Sequence, residues 1–245
     1  MPTPSHEARA VAESFGADAE GYDRARPSYP AALIERIPQG RVLDVGCGTG
    51  IVARQLKGRT VLGVEPDPRM AEVARRHGIE VEIAKIEEWD PAGRTFDAVV
   101  AGQTWHWVEP MAGARTVAKA LRPGGLVTMF WNGVDPPEEV GVATMEALRR
   151  HAPDMPLPPR YSFGGNTYRP LADKAADGLR ATGAFTEPED WIFPWERVYT
   201  RREWLDQLAT SGFANRLPPE VFEQIETPAT FTVTYSTVAT AAYRN

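Results

Sequence analysis

The chain has 245 residues, of which 42% are hydrophobic, enough for one packed domain with a small elaboration. Lys and Arg number 27 against 33 Asp and Glu, and the resulting net charge of -6 opposes binding to nucleic-acid phosphates or anionic membranes. The single cysteine, Cys47, excludes an intramolecular disulfide and a zinc site built from several thiolates, and we predict no metal site.

Two further patterns bear on where the protein acts. No apolar run approaches the roughly 20 residues that a membrane-spanning helix needs. The amino-terminal residues also lack the charged-then-apolar pattern of a signal peptide. We therefore expect a cytoplasmic protein with no membrane partner and no nucleic-acid partner, whereas its oligomeric state stays open.

The first segment, residues 1–38, is predicted to form a helical arm. Its Ala-rich stretch Glu7–Phe15 is compatible with a helix, which the prolines of Arg26–Pro30 interrupt. A short helix, Ala31–Ile37, then leads into the domain. We expect this arm to lie over the ligand of the following segment.

Residues 39–132 alternate short apolar strands with helices. This rhythm predicts a mostly parallel sheet covered by helices on both faces. The first strand, Arg41–Val45, runs into a glycine-rich turn, Gly46–Gly50. The other predicted strands of this core are Thr60–Val64, Ile79–Ile83, Phe96–Ala101 and Leu126–Trp131, and its helices are Ile51–Leu56, Pro68–His77 and Gly113–Leu121.

The alternation stops after Trp131. Residues 133–190 are richer in proline and glycine and are predicted to be a lid insertion beside the active site. Residues 191–245 are predicted to complete the sheet, so that the chain forms one domain. The expected elements are the helices Glu138–His151, Leu171–Thr182, Arg201–Ser211 and Pro219–Ile225 and the strands Trp191–Tyr199 and Thr230–Tyr243.

The turn after the first strand indicates a nucleoside-containing ligand. Glycines let a ligand approach the backbone closely, and the acid Glu65 ends the next strand about 20 residues on, where such an acid binds ribose hydroxyls. The glycines follow GxGxG rather than GxGxxG, and Asp44 precedes them by two residues. Asp44 would repel a pyrophosphate but attract a ligand that carries an ammonium and a sulfonium, which favours S-adenosylmethionine.

Four motifs in order resemble those of the class I S-adenosylmethionine-dependent methyltransferases, in particular the small-molecule, type 11-like members. They are Val42–Gly50, Val64–Asp67, Phe96–Val100 and Leu121–Gly125. The resemblance implies a Rossmann-like, seven-stranded, mostly parallel α/β sheet with helices on both faces and an antiparallel last strand, plus a helical lid insertion. It also implies S-adenosylmethionine as cofactor and S-adenosylhomocysteine as product.

The resemblance assigns roles to matching positions. Gly46, Cys47 and Gly48 would line the methionine portion, Asp44 would reach its amino group, and Glu65 would hold the ribose. Adenine would lie between Pro66 and Ile86. Lys85 stands where many members place an acid, so either Glu87 takes the adenine amino group or the register is off by a residue or two. Tyr22 and Arg26 would close over the cofactor, Arg26 pairing with the methionine carboxylate, and Gln103 completes the predicted cofactor-binding set.

The loop Gly102–Trp107 follows the fourth strand at the sheet edge where open α/β folds bind ligands. His106 is a candidate general base for an acceptor hydroxyl, or alternatively a structural residue that anchors the loop. The predicted substrate-binding residues are Trp105, Trp107, Trp131 and Tyr161, with Trp105 and Trp107 alternatively core aromatics. The loop lacks the Asn/Asp-Pro-Pro-aromatic motif of enzymes that methylate nucleic-acid bases, so a small molecule with an oxygen, nitrogen or carbon nucleophile is the expected acceptor.

The sequence leaves three alternative functions open. An NAD(P)-dependent oxidoreductase shares the glycine turn and the ribose acid but not GxGxG with Asp44. A noncatalytic S-adenosylmethionine-binding regulator would share the cofactor site without an acceptor cavity. A methyltransferase acting on tRNA or protein would need a basic groove, which the net charge does not indicate.

Overall fold

The molecule is described by a computed structural model covering residues 13–151, 158–212 and 217–245. Seven strands form one sheet in the spatial order β3-β2-β1-β4-β5-β7-β6. Six strands share one direction, and β7 runs antiparallel to both neighbours, as the fold prediction required. The strands are β1 (Arg41–Val45), β2 (Thr60–Glu65), β3 (Glu80–Ile83), β4 (Phe96–Gly102), β5 (Leu121–Asp135), β6 (Glu189–Thr200) and β7 (Thr230–Tyr243).

Helices cover the sheet and extend beyond it. Their starts follow local chemistry; for example, Asp67 accepts the amide of Arg69 and precedes a proline at the first helical position. The predicted helix over Glu7–Phe15 lies mostly outside the described residues, and Glu13–Asp18 forms a 3-10 turn. The helices are α1 (Ala19–Ala25), α2 (Ala31–Arg36), α3 (Ile51–Gln55), α4 (Pro68–Arg76), α5 (Pro110–Ala120), α6 (Glu138–His151), α7 (Arg169–Thr182), α8 (Arg201–Ala209) and α9 (Pro219–Glu223).

Strands β5, β6 and β7 continue past the rest of the sheet and carry a second hydrophobic core, which we call the cap core. Trp204 lies at its centre, with edge-to-face contacts to Tyr161, Tyr199 and Phe231. Side chains of α6, α8 and α9 complete it. The cap is therefore built from two chain segments, one after β5 and one between β6 and β7.

The two helices of segment 133–190, which we predicted to be one lid insertion, pack in different hydrophobic cores. Its first helix, α6, belongs to the cap core. Its second helix, α7, instead packs beside α5 through Ala172, Ala175 and Leu179. These residues belong to the largest hydrophobic cluster, which we call the main core and which includes side chains of β1, β2, β4 and β5. The amphipathic pattern of a helix shows that one face is buried, but not against which layer.

Ion pairs fasten the arm to the core. Asp23 in α1 accepts from Arg54 at 2.6 Å and lies 3.0 Å from the imidazole of His77. Glu20 pairs with Arg76 at 2.9 Å. The arm is thereby held across the ends of α3 and α4, beside the glycine-rich turn.

Candidate functional site

A cavity of about 630 Å³ opens where β1, β2 and β4 end. Parallel pairing brings the carboxyl ends of these strands to one edge, and the arm and the cap close over that edge. Its cofactor end is lined by Val45, Gly46, Gly48, Val64 to Met70 and Ala84 to Glu87. Its cap end is lined by Asn132, Val134, Tyr161, Phe163, Tyr168, Gln207, Ser211, Gly212 and Tyr235. Phe15, Tyr22, Arg26, Pro27 and residues 102–104 and 106–108 lie between them.

The glycine-rich turn owes its shape to residues without a Cβ. Gly46 and Gly48 have φ angles of +59° and +55°, a region that other residues rarely adopt. A Cβ at Gly46 would lie 2.1 Å from Oγ1 of Thr104. The amide of Gly46 donates to the carbonyl of Val64 at 2.8 Å. These contacts hold the turn against β2 and the loop after β4.

Glu65 is a buried carboxylate at the centre of the cofactor end. One oxygen accepts the amide of Gly48 and the other that of Asp67, each at 2.9 Å. Burial raises the pKa of Glu65 to about 7, against the lowering effect of these two amides. A carboxylate can accept about four hydrogen bonds, so Glu65 retains capacity for ligand hydroxyls.

Asp44 is the second buried acid of this end. Its side chain in β1 is 1% exposed, and neither oxygen has a hydrogen-bond partner among the described residues. Burial, and then the negative charge of Glu65, raise the pKa of Asp44 to about 8, against a lowering effect of the nearby Ala53 backbone. A buried carboxylate without a partner is costly, and a cationic ligand would relieve that cost.

The other predicted cofactor residues occupy different positions around the turn. Pro66 and Ile86 line the cavity, as does Glu87, which also accepts the amide of Glu109 at 2.8 Å. The Cys47 side chain instead packs behind the turn with Ala71, Ala74 and Val81, and burial raises its thiol pKa. Only the backbone of Cys47 is therefore placed to serve the predicted role.

The arm brings Tyr22 and Arg26 to the cavity wall. The Arg26 guanidinium lies 4.8 Å from the Tyr22 ring centroid and donates to the carbonyl of Thr210 at 2.6 Å. Its Nε is buried, with no hydrogen-bond partner in the described part of the chain. A ligand carboxylate would satisfy that donor.

His106 lines the cavity but is poorly suited to remove a proton. The indole Nε1 of Trp131 donates to His106 Nδ1 at 3.2 Å, which leaves the ring proton of the neutral histidine on Nε2. Burial lowers the pKa of His106 to about 4. The lone pair that a base would use is thus already occupied, and this geometry favours the structural alternative.

We expect the imidazole of His106 to stay neutral from pH 5.5 to 9, because its pKa lies below that range. Nitrogen NMR of labelled protein would show one protonated and one unprotonated ring nitrogen throughout. Replacing Trp131 with Phe removes the indole donor and should move the Nδ1 resonance. A titration midpoint near 6.5 would restore the base hypothesis.

The predicted aromatic substrate residues separate into two groups. Trp107 and Tyr161 line the cavity. Trp105 and Trp131 are 2% and 0% exposed and belong to the main core, so their rings do not form cavity wall. A buried strand followed by tryptophans does not reveal which rings turn inward, which explains the difference from the prediction.

Several lining residues carry no signal in the sequence. Asn132, Tyr168, Gln207, Ser211 and Tyr235 reach the cavity from five separate elements or loops. No local motif surrounds them, because long-range packing of the cap brings them together. The Gln103 position was predicted, but its φ of +55° was not, since this conformation is rare outside glycine.

The chain is similar to known methyltransferases. Residues 42–125 match the methyltransferase domain family. An uncharacterized methyltransferase of Mycobacterium tuberculosis is 38% identical over 135 residues, which are 52% of this chain and 55% of that protein. This segment of the chain is therefore a methyltransferase domain. An uncharacterized methyltransferase-like protein of Schizosaccharomyces pombe is 23% identical over 87% of this chain and 83% of its own length.

Two solved structures share the fold of this chain. A candidate type II methyltransferase of Anaeromyxobacter dehalogenans has a TM-score of 0.61 at 23% identity, covering 89% of this chain and 97% of that one. Phosphoethanolamine N-methyltransferase 2 of Haemonchus contortus, bound to phosphomonomethylethanolamine and S-adenosylhomocysteine, has a TM-score of 0.52 at 15% identity over 94% of this chain and 57% of that one. The matched segment spans about half of the mycobacterial relative.

The residues of the cavity fit the cofactor of this family. Asp44 is a buried acid without a hydrogen-bond partner among the described residues and would suit an ammonium, and the buried Nε–H of Arg26 would suit a carboxylate. Glu65 retains acceptor capacity for the ribose diol. Within the described ranges, no helix is long and apolar enough to cross a membrane, and no group of three potential metal ligands is assembled.

Proposed function

We propose that the methyltransferase transfers a methyl group from S-adenosylmethionine to a small molecule bound at the cap end. The continuity of the cavity carries this proposal, because Gly46 and Glu65 at one end share one space with Tyr161 and Tyr235 at the other. S-adenosylmethionine would supply an electrophilic methyl group on a positively charged sulfur. Donor and acceptor would thus meet in an enclosed site.

The residues of the chain bind, orient and exclude water. Asp44 would hold the ammonium, Arg26 the carboxylate and Glu65 the ribose, while Pro66 and Ile86 would enclose the adenine. Gln103 and Tyr22 would border the methionine portion. In-line displacement requires alignment of the reacting atoms more than it requires side-chain acids or bases, in keeping with a neutral His106.

The acceptor is proposed to be a small molecule rather than nucleic acid. Uncharged and aromatic side chains of the cap line one end of the cavity, and the net charge of -6 disfavours a phosphate backbone. We also retain the prediction of a cytoplasmic location. A noncatalytic regulator is less consistent with the aromatic cap end, which extends beyond the cofactor turn.

Calorimetry with the purified protein tests the cofactor assignment. We expect S-adenosylmethionine and S-adenosylhomocysteine to bind with micromolar Kd values and NAD to show no binding. NAD binding would instead support the oxidoreductase alternative. Loss of binding to all three would remove the basis of the proposal.

A further inference from the structure

The two ends of the cavity differ in charge. Among the described lining residues, the charged side chains Glu65, Asp67, Arg69, Lys85 and Glu87 lie at the cofactor end, and Arg26 lies between the two ends. The described residues of the cap end carry uncharged side chains, whether amides, hydroxyls or apolar groups. With Arg26 assigned to the cofactor carboxylate, an acceptor that entered as an anion would lose its hydration without a cation from these residues.

Aromatic rings surround the acceptor space. Trp107, Tyr161, Phe163, Tyr168 and Tyr235 line it, and the rings of Tyr161 and Phe163 meet edge to face at 4.9 Å. Aromatic faces are negative and attract cations, an effect that strengthens where water is excluded. Such walls favour a reaction in which positive charge develops on the acceptor.

The titratable groups beside this space are poor proton acceptors. His106 Nδ1 already accepts from Trp131. The Tyr235 hydroxyl donates to Gln207 Oε1 at 3.1 Å and lies 2.6 Å from the Tyr199 hydroxyl. Burial raises the pKa values of Tyr161 and Tyr168, so their hydroxyls stay protonated at neutral pH. A nucleophile that must lose a proton before attack has no suitable base among these groups.

We infer that the acceptor is an amine, methylated on nitrogen at the cap end, and that the aromatic walls stabilise the cation that forms. This inference rests on the proposed methyltransferase function. The neutral amine uses its lone pair to form the C–N bond to the methyl carbon. The C–S bond breaks with its electron pair on sulfur, and the positive charge moves to nitrogen. The N–H proton is lost to water afterwards, so no protein base takes part.

Tyr168 offers a matched pair of variants because it is half-buried and lines the cavity outside the cap core. Tyr168→Phe keeps the ring and loses the hydroxyl that bonds Gln103, whereas Tyr168→Leu loses the ring. Loss of one desolvated cation–π contact corresponds to about tenfold in affinity. Phe163→Leu provides a second test if Tyr168→Leu fails to fold.

The experiment uses amines, alcohols, phenols and carboxylic acids matched in carbon skeleton, with S-adenosylmethionine labelled in the methyl group. We expect that only the amines acquire the labelled methyl group and that their products are stable in alkali. The rate of methylation should rise with pH as the amine loses its proton. In calorimetry with S-adenosylhomocysteine present, Tyr168→Leu should weaken the N-methylated product about tenfold, and Tyr168→Phe less than twofold.

Several results would overturn the inference. The label could appear in methyl esters, which release methanol in alkali, or in ethers. The cofactor could bind while no amine is methylated, or the two Tyr168 variants could weaken product binding equally. Failure of the proposed function is distinguishable, because S-adenosylhomocysteine alone would then fail to bind the wild-type protein.

Discussion

Replacing Asp44 with Asn is expected to weaken S-adenosylhomocysteine binding by about 100-fold, since charged hydrogen bonds contribute about 1.5–3 kcal/mol and each 1.4 kcal/mol is tenfold. The buried carboxylate lacks partners among the described residues and has a pKa near 8 without ligand. An ammonium beside it would supply both charge and donors. Asparagine keeps the shape of the side chain but cannot balance that charge.

The ligand 5′-methylthioadenosine separates this role from a general disturbance of the site. It retains adenine and ribose but lacks the amino and carboxylate groups. Its affinity should change less than about twofold in Asp44→Asn, because no charged hydrogen bond is lost. Equal weakening of both ligands would show that Asp44 acts by supporting the turn, and would contradict the ammonium assignment.

Proton release gives an independent measure of the same interaction. At pH 7 the ligand-free Asp44 is mostly protonated, because its pKa is about 8. A bound ammonium favours the carboxylate and lowers that pKa, so binding should release a proton. Calorimetry in two buffers of different ionisation enthalpy would measure the release, which should fall in Asp44→Asn. Wild-type binding should correspondingly weaken as the pH falls below 8.

The mostly parallel sheet with its antiparallel last strand and most element bounds could be predicted from the sequence. Strand β1 and helix α6 have the predicted limits, because apolar runs and their flanking glycines or prolines are local signals. The glycine turn and Glu65 were predictable for the same reason. Their spacing alone sets both at one sheet edge.

The acceptor end could not be predicted in this way. Tyr235 reaches it only because β7 pairs with the extended part of β5, and Gln207 only because α8 packs into the cap core. The role of His106 depends on its contact with Trp131, which lies on β5, 25 residues away. Such contacts depend on tertiary packing, and no spacing rule encodes them.

Replacing Glu65 with Gln should weaken S-adenosylhomocysteine and 5′-methylthioadenosine alike, by about 30- to 100-fold, since charged hydrogen bonds to the shared ribose are lost. The variant also leaves the amides of Gly48 and Asp67 with at most one acceptor oxygen between them. Two calorimetric titrations measure the effect. Glu88→Gln is the matched control, since Glu88 is an exposed acid that only approaches Lys85, at 3.9 Å.

The pH dependence of 5′-methylthioadenosine binding isolates Glu65 from Asp44, because this ligand has no ammonium. The pKa of Glu65 is raised to about 7, so the carboxylate that accepts two ribose hydroxyls is lost as the pH falls through 7. The affinity of the wild-type protein should therefore decline below pH 7, whereas the affinity of Glu65→Gln should not change with pH. A decline that persists in Glu65→Gln would show that another group titrates. If Glu65→Gln bound the ligand as tightly as the wild-type protein at all pH values, Glu65 would not belong to the ribose site.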